Sequence, residues 1–91
     1  MVYLLYTDDG ATLVYAGLDA AEYDRLSRKL AAGHAGSLIG RRRTGRTEQW
    51  VVRAFFRERP SPAFIASRRH GFPYGLEWEP ATGMEQAADG C

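Results

Sequence analysis

The sequence predicts a small α+β domain in which helices pack on one antiparallel sheet. Two apolar runs flank Asp8-Asp9-Gly10, which is a strong signal for the turn of a β-hairpin. A segment with helical apolar spacing follows, and Ser61-Pro62 later in the chain is typical of a helix start. The 91 residues are enough for one domain with a single modest core.

The N-terminal part is predicted to fold as a hairpin followed by a helix. Residues 2–6 and 11–16 are rich in aliphatic and aromatic residues, so each is predicted to be a strand. Asp19 is a natural N-cap, and Glu22 three residues later gives a pattern like a capping box. The helix is predicted over 20–32, with one apolar stripe formed by Tyr23, Leu26 and Leu30.

The C-terminal part is predicted to contain a third strand, a short helix and an edge strand. Residues 33–47 are rich in glycine and arginine, so they are predicted to be a loop. The third strand is expected over 48–57, the second helix over 63–70 and a possible edge strand over 74–79. Residues 80–91 are small, polar and acidic, and are predicted to be a disordered tail after a domain of residues 1–79.

Charge is distributed unevenly along the chain, although the net charge is only +1. Residues 41–70 contain nine arginines and two glutamates, which gives +7, whereas residues 71–91 contain four acids and no base. Such asymmetry favours a polyanionic partner. The basic middle therefore predicts a nucleic acid, or an acidic protein surface, as the partner.

Several classes of protein are disfavoured by composition. Cys91 is the only cysteine, so an internal disulfide is excluded, and His34 and His70 are too far apart for zinc-site spacing. No apolar run reaches the ~20 residues that span a bilayer, and the N-terminus lacks the pattern of a signal peptide. A cytoplasmic protein without a membrane partner is the expectation.

One constellation points to chemistry. Met1-Val2-Tyr3 is followed, after eleven residues, by Tyr15-Ala16-Gly17, and Arg25 comes eight residues after Gly17 on the predicted helix. This order resembles the signature of GIY-YIG nucleases, whose domains begin with a hairpin carrying two motif halves and continue with a helix bearing an arginine. The resemblance covers roughly residues 1–57.

The resemblance implies an endonuclease that hydrolyses phosphodiesters with Mg²⁺ or Mn²⁺, acting on DNA more than RNA. Tyr3 and Tyr15 would be the motif tyrosines that help to activate water, and Gly17 would allow close approach of the backbone. Arg25 would hold the scissile phosphate, since a guanidinium matches two phosphate oxygens. His34 would assist. The residues predicted to bind nucleic acid are Gly17, Arg28, Arg41, Arg42, Arg43 and Arg46.

A non-catalytic function is the open alternative. The resembled family needs a glutamate on the helix after the third strand, whereas residues 63–70 contain no carboxylate, so the metal ligand is unassigned. The same scaffold could be a nucleic-acid- or protein-binding module, such as a small inhibitor or adaptor of phage or mobile-element type, that uses the basic surface of residues 41–59.

Each candidate residue also has a purely structural interpretation. Tyr3 and Tyr15 could pack as cross-strand partners. Arg25 could be a solvated residue that pairs with an acidic neighbour on the same helix. His34 could cap carbonyl groups at the helix end.

Overall fold

The computed structural model describes residues 1–7, 11–45 and 48–81. The strands in these ranges are β1 (Val2–Thr7), β2 (Thr12–Leu18), β3 (Gly36–Thr44), β4 (Glu48–Phe56) and β5 (Leu76–Pro80). The helices are α1 (Ala20–Ala31) and α2 (Pro62–Arg68), and a 3-10 turn (Arg69–Gly71) follows α2 directly. None of these helices is long and apolar enough to cross a membrane.

The five strands form one mixed sheet in the order β2-β1-β4-β3-β5. The predicted α+β class is confirmed, and the sheet, which was expected to be antiparallel, is mixed because β1 and β4 run parallel. Helix α1 carries the chain from β2 to the far side of β1, where β3 and β4 form an antiparallel pair. Strand β4 is the inner member of that pair. It lies next to β1 and runs in the same direction as β1.

The prediction that residues 33–47 form a loop is wrong, because β3 occupies Gly36–Thr44. Its glycines allow close packing of neighbours rather than turns. A Cβ added at Gly36 would lie 2.5 Å from the carbonyl oxygen of Glu79, and one added at Gly40 would lie 2.5 Å from the ring of Phe72. The β5 backbone and the Phe72 ring therefore approach β3 where only glycine fits.

Both predicted N-caps are confirmed. A carboxylate oxygen of Asp19 accepts a hydrogen bond from the backbone N–H of Glu22 at 2.8 Å, and the hydroxyl of Ser61 accepts one from Phe64 at 3.2 Å. Helix α1 ends one residue before its predicted end, while the end of the second predicted helix is the 3-10 turn.

Strand β5 begins two residues later than predicted and includes Pro80. The hairpin turn at residues 8–10 and most of the predicted tail, residues 82–91, lie outside the described ranges. The start of the predicted tail is tied to the domain, because the N–H of Ala81 donates to the carbonyl of Ala35 at 2.9 Å.

The sheet is covered by one helix on each face. On the first face, α1 packs over a core formed by Leu5, Leu26 and Phe55, with Tyr23, Leu30 and Ala31 around it. On the second face, α2 packs over a core formed by Leu38, Phe56, Ile65 and Leu76, with Ala54, Phe64, Phe72 and Trp78 around it. Adjacent Phe55 and Phe56 enter opposite cores, as the alternation predicted for this strand requires.

Replacing Gly36 with alanine should destabilise the fold. The new methyl group would meet the β5 backbone and, at 2.6 Å, the ring of Trp78. We expect the free energy of unfolding, measured by urea denaturation, to fall by about 1–3 kcal/mol, the usual cost of overpacking.

Gly33→Ala is the matched control, since an added Cβ there meets nothing within 4 Å. We expect it to change the free energy of unfolding by less than about 0.5 kcal/mol. Equal effects of the two substitutions would contradict the close approach of β5 to β3.

Candidate functional site

An open cavity of about 480 Å³ lies on the α1 face, between the first half of α1 and the paired ends of β3 and β4. We call it the arginine groove. Its lining includes Tyr3, Tyr23, Asp24, Ile39, Arg41, Arg42, Arg43, Val51, Arg53 and Tyr74. Its volume falls within the ~300–1,000 Å³ range of ligand-binding pockets.

Strand alternation creates the mixed character of the arginine groove. Ile39, Arg41 and Arg43 lie at every second position of β3, so they share one face of the sheet. In the register between β3 and β4, Ile39 lies opposite Arg53 and Arg41 lies opposite Val51. Ile39 and Val51 are buried and form an apolar floor, while the arginines stand beside it.

Aromatic rings form part of the wall. The rings of Tyr3 on β1 and Tyr23 on α1 stack with their centroids 4.4 Å apart. Tyr74 is 62% exposed, and the guanidinium of Arg43 lies 5.4 Å from its ring centroid. The backbone N–H of Tyr74 donates to the carbonyl of Arg41 at 3.3 Å, which holds this segment against β3.

Arg53 holds the back of the groove in place. Only 16% of its side chain is exposed, and it bonds to residues on three other elements. It donates to the hydroxyl of Tyr23 at 3.0 Å, to the hydroxyl of Ser37 at 3.4 Å and to the carboxylate of Glu79 at 2.7 Å. These bonds connect β4 to α1, β3 and β5, because a cation so far from water needs partners on every side.

The arginine groove is electropositive. Four arginines line it, although strand alternation directs the side chain of Arg42 to the other face and Arg53 is paired with Glu79. The lining contains one carboxylate, Asp24, which lies 2.6 Å from Arg28. Arg41 lies 3.5 Å from Glu77, but both side chains are about half exposed, so this pair neutralises little. Within the described ranges, no carboxylate forms a salt bridge with Arg42 or Arg43.

The structure brings together only some of the residues predicted from the sequence. Tyr3, Arg41, Arg42 and Arg43 line the arginine groove, whereas Tyr15, Arg25 and His34 do not. Arg46 lies outside the described residues.

Tyr15 and Arg25 are placed apart from the groove. Tyr15 lies on the edge strand β2, opposite Leu5 of β1, and is 40% exposed. Tyr3 lies opposite Leu18, so the two tyrosines are not direct cross-strand partners. Arg25 is 63% exposed and pairs with Glu22 at 2.9 Å. It follows the inward-facing Tyr23 by two helical positions, about 200° around the axis, so it points away from the sheet.

The remaining predicted residues have local structural roles. The Nδ1 atom of His34 lies 2.9 Å from the carbonyl oxygen of Leu30 in the last turn of α1, which also accepts the backbone N–H of Gly33 at 3.2 Å. Gly17 has φ of +70°, a conformation that favours glycine, next to a register shift between β1 and β2. Arg28 pairs with Asp24 at 2.6 Å on the surface of α1.

Among the groove residues that the sequence does not indicate as site residues are Tyr23, Arg53 and Tyr74. The helical spacing places Tyr23 in the apolar stripe, although its hydroxyl accepts a hydrogen bond from Arg53. Arg53 itself carried a signal, because a lone arginine between Val52 and Ala54 in an apolar strand needs buried partners. Tyr74 carried no local signal, since only the fold brings it to Arg43.

The described residues contain no group of three or more His, Cys, Asp or Glu side chains that could hold a metal ion. The requirement for Mg²⁺ or Mn²⁺ stays a prediction of the resemblance. Comparison of the chain with family models, curated proteins and solved structures gave no match. The resemblance to GIY-YIG nucleases is therefore also still a prediction.

The Arg53–Glu79 pair should couple more strongly than a surface pair of the same length. A double-mutant cycle with Arg53→Met and Glu79→Gln is expected to give a coupling energy of about 1–2 kcal/mol in urea denaturation. The reason is that the guanidinium is largely shielded from water, which strengthens its interaction with the carboxylate.

The control cycle uses Arg28→Met and Asp24→Asn, whose charged atoms lie 2.6 Å apart on side chains 74% and 60% exposed. Its coupling energy should be only about 0.3–0.5 kcal/mol. Similar values from both cycles would mean that Arg53 does not connect the three elements as described.

Proposed function

We propose that the protein is a binding module that holds single-stranded nucleic acid in the arginine groove. The observation that carries the proposal is that arginine side chains, of which Arg43 forms no salt bridge within the described ranges, surround one open cavity together with accessible tyrosine rings. Proteins that bind single strands combine a positive groove for the backbone with aromatic rings on which bases stack.

The arginines supply the contacts to phosphate. Arg41 and Arg43 project from the same face of β3, two residues apart, and so are spaced along the groove like successive charges on a strand. A guanidinium makes bidentate hydrogen bonds to phosphate and stays charged at any physiological pH. Because Arg43 forms no salt bridge within the described ranges, a phosphate would displace no carboxylate from it.

The tyrosines favour a single strand over a duplex. The ring of Tyr74 is mostly exposed at the mouth of the groove, and the stacked pair of Tyr3 and Tyr23 forms a wall. An unpaired base can stack on such a ring, whereas the bases of a duplex are already stacked on each other. The apolar floor of Ile39 and Val51 would pack against the apolar atoms of a sugar or base, a contact that does not depend on sequence.

Binding in the groove does not require hydrolysis. The mechanism implied by the resemblance would bring Arg25 and both motif tyrosines to one phosphate, whereas Arg25 points away from the sheet and pairs with Glu22. We therefore propose binding without cleavage, so that a labelled strand incubated with the protein and Mg²⁺ should stay intact. Cleavage that is abolished in Arg25→Ala would instead favour the endonuclease.

Removing two groove arginines should weaken binding and its salt dependence. We expect Arg41→Gln combined with Arg43→Gln to reduce affinity for a fluorescent single-stranded oligonucleotide, measured by anisotropy. The slope of log K against log salt should become shallower by about 0.7 for each phosphate that the double variant no longer binds.

The control combines Arg25→Gln with Arg28→Gln, which removes the same charge from exposed positions on α1. We expect its affinity and slope to stay close to those of the wild-type protein. Equal reductions in both double variants would point to a general effect of net charge. An affinity that does not depend on salt would contradict the proposal.

Removing an exposed ring at the mouth of the groove should also weaken binding. We expect Tyr74→Ala to cost about 1–3 kcal/mol of binding free energy, the usual contribution of one stacked base. Tyr15→Ala is the matched control, because Tyr15 is also exposed but lies outside the groove. A reduced affinity in Tyr15→Ala with no change in Tyr74→Ala would contradict the assignment of the groove.

A further inference from the structure

The two edges of the sheet differ in how well they are protected from pairing with another strand. Strand β5, at one edge, has five residues, which include Glu77, Glu79 and Pro80. Charged residues, proline and short length are features that block edge-to-edge pairing. The guanidinium of Arg69 also donates to the carbonyl of Leu76 at 3.4 Å, which adds cover to this edge.

Strand β2, at the other edge, has almost none of these features. It has seven residues, Thr12–Leu18, without a charged side chain or a proline. Leu13, Val14 and Tyr15 are 48%, 38% and 40% exposed, and three neighbouring apolar residues at this level are unusual on an edge strand. In the described part of the chain, β2 pairs only with β1, so its outer backbone groups are left to solvent.

We propose that the β2 edges of two copies of this chain pair with each other in an antiparallel arrangement. The result is a symmetric dimer with a continuous ten-stranded sheet. Antiparallel pairing about a two-fold axis uses the same strand on both copies, so one neutral apolar edge is enough to build the interface.

Charge favours a second copy as the partner. The strand itself is neutral and the whole chain carries a net charge of only +1, so two copies meet with little repulsion. Because the β5 edge is blocked by charge and proline, pairing stops at two copies rather than continuing into a fibre.

The interface that the two edges can form is small. Two seven-residue edges bury less than the ~1,200–2,000 Å² of a standard stable interface, so the dimer should dissociate on dilution. Register shifts between β1 and β2 twist this edge, which also limits the length that pairs. We therefore expect a reversible equilibrium between monomer and dimer.

Sedimentation velocity of the full chain over a wide concentration range tests the proposal. The mass of the wild-type protein should rise from 10.2 kDa toward twice that value as concentration increases. Val14→Lys should weaken association by at least about tenfold, since like charges facing each other across paired strands are unfavourable. Tyr74→Lys, a control at another exposed ring, should associate like the wild-type protein.

Circular dichroism shows whether each variant is folded. If Val14→Lys is unfolded, Leu13→Lys is the second variant that places a charge on the β2 edge. A wild-type protein that stays at 10.2 kDa at every concentration would overturn the proposal and would leave β2 to a partner other than a second copy. A dimer that persists in both lysine variants would also overturn it. The experiment contains no nucleic acid, so its outcome is independent of the proposed function.

Discussion

The arrangement of this domain depends on one half-buried cation in the middle of its sheet. Arg53 lies on β4, the central strand of the sheet, and its side chain projects onto the α1 face, with only 16% of it exposed. Its guanidinium would be costly to shield from water without partners, and it finds them on α1, β3 and β5. Because Tyr23, Ser37 and Glu79 must all reach one planar group, the helix and the two strands have little freedom to shift relative to β4.

The shape of the arginine groove follows from that constraint. Tyr23 is held by its hydroxyl to Arg53, and its ring in turn supports Tyr3, so the stacked pair has a fixed place beside the floor of the groove. Helix α1 packs over the end of the sheet that contains Leu5 and Phe55, and leaves the end near Val51 open. The cavity is therefore the uncovered part of a face whose other part is a packed core.

The sequence predicts the secondary structure well where the signals are local. Asp19 and Ser61 begin helices because their side chains accept hydrogen bonds from nearby backbone N–H groups, which depends on a few adjacent residues. The sequence does not predict strand β3, because the glycines of this segment, which include Gly36 and Gly40, are typical of a loop. Their role in the strand appears only when β5 and Phe72 pack against them, and that packing is a tertiary effect.

The candidate site was predictable in its charge but not in its geometry. The clustered arginines of β3 indicated a polyanionic partner, and three of them line the groove. The prediction that Tyr3, Tyr15 and Arg25 form one site was based only on their order along the chain. The position of Arg25 around the helix turns it away from the sheet, and the β1–β2 register places Tyr15 on the edge strand, opposite Leu5 of β1. Spacing along the sequence specifies neither the direction of Arg25 nor the position of Tyr15 in the sheet.

The most direct test of this account is an NMR titration of the isotope-labelled wild-type protein with a short single-stranded oligonucleotide. If the groove binds the strand, the largest shifts will cluster at Tyr3, Tyr23, Arg43, Val51 and Tyr74. Shifts centred on Tyr15 and Arg25, or no shifts at a large excess of oligonucleotide, would contradict it.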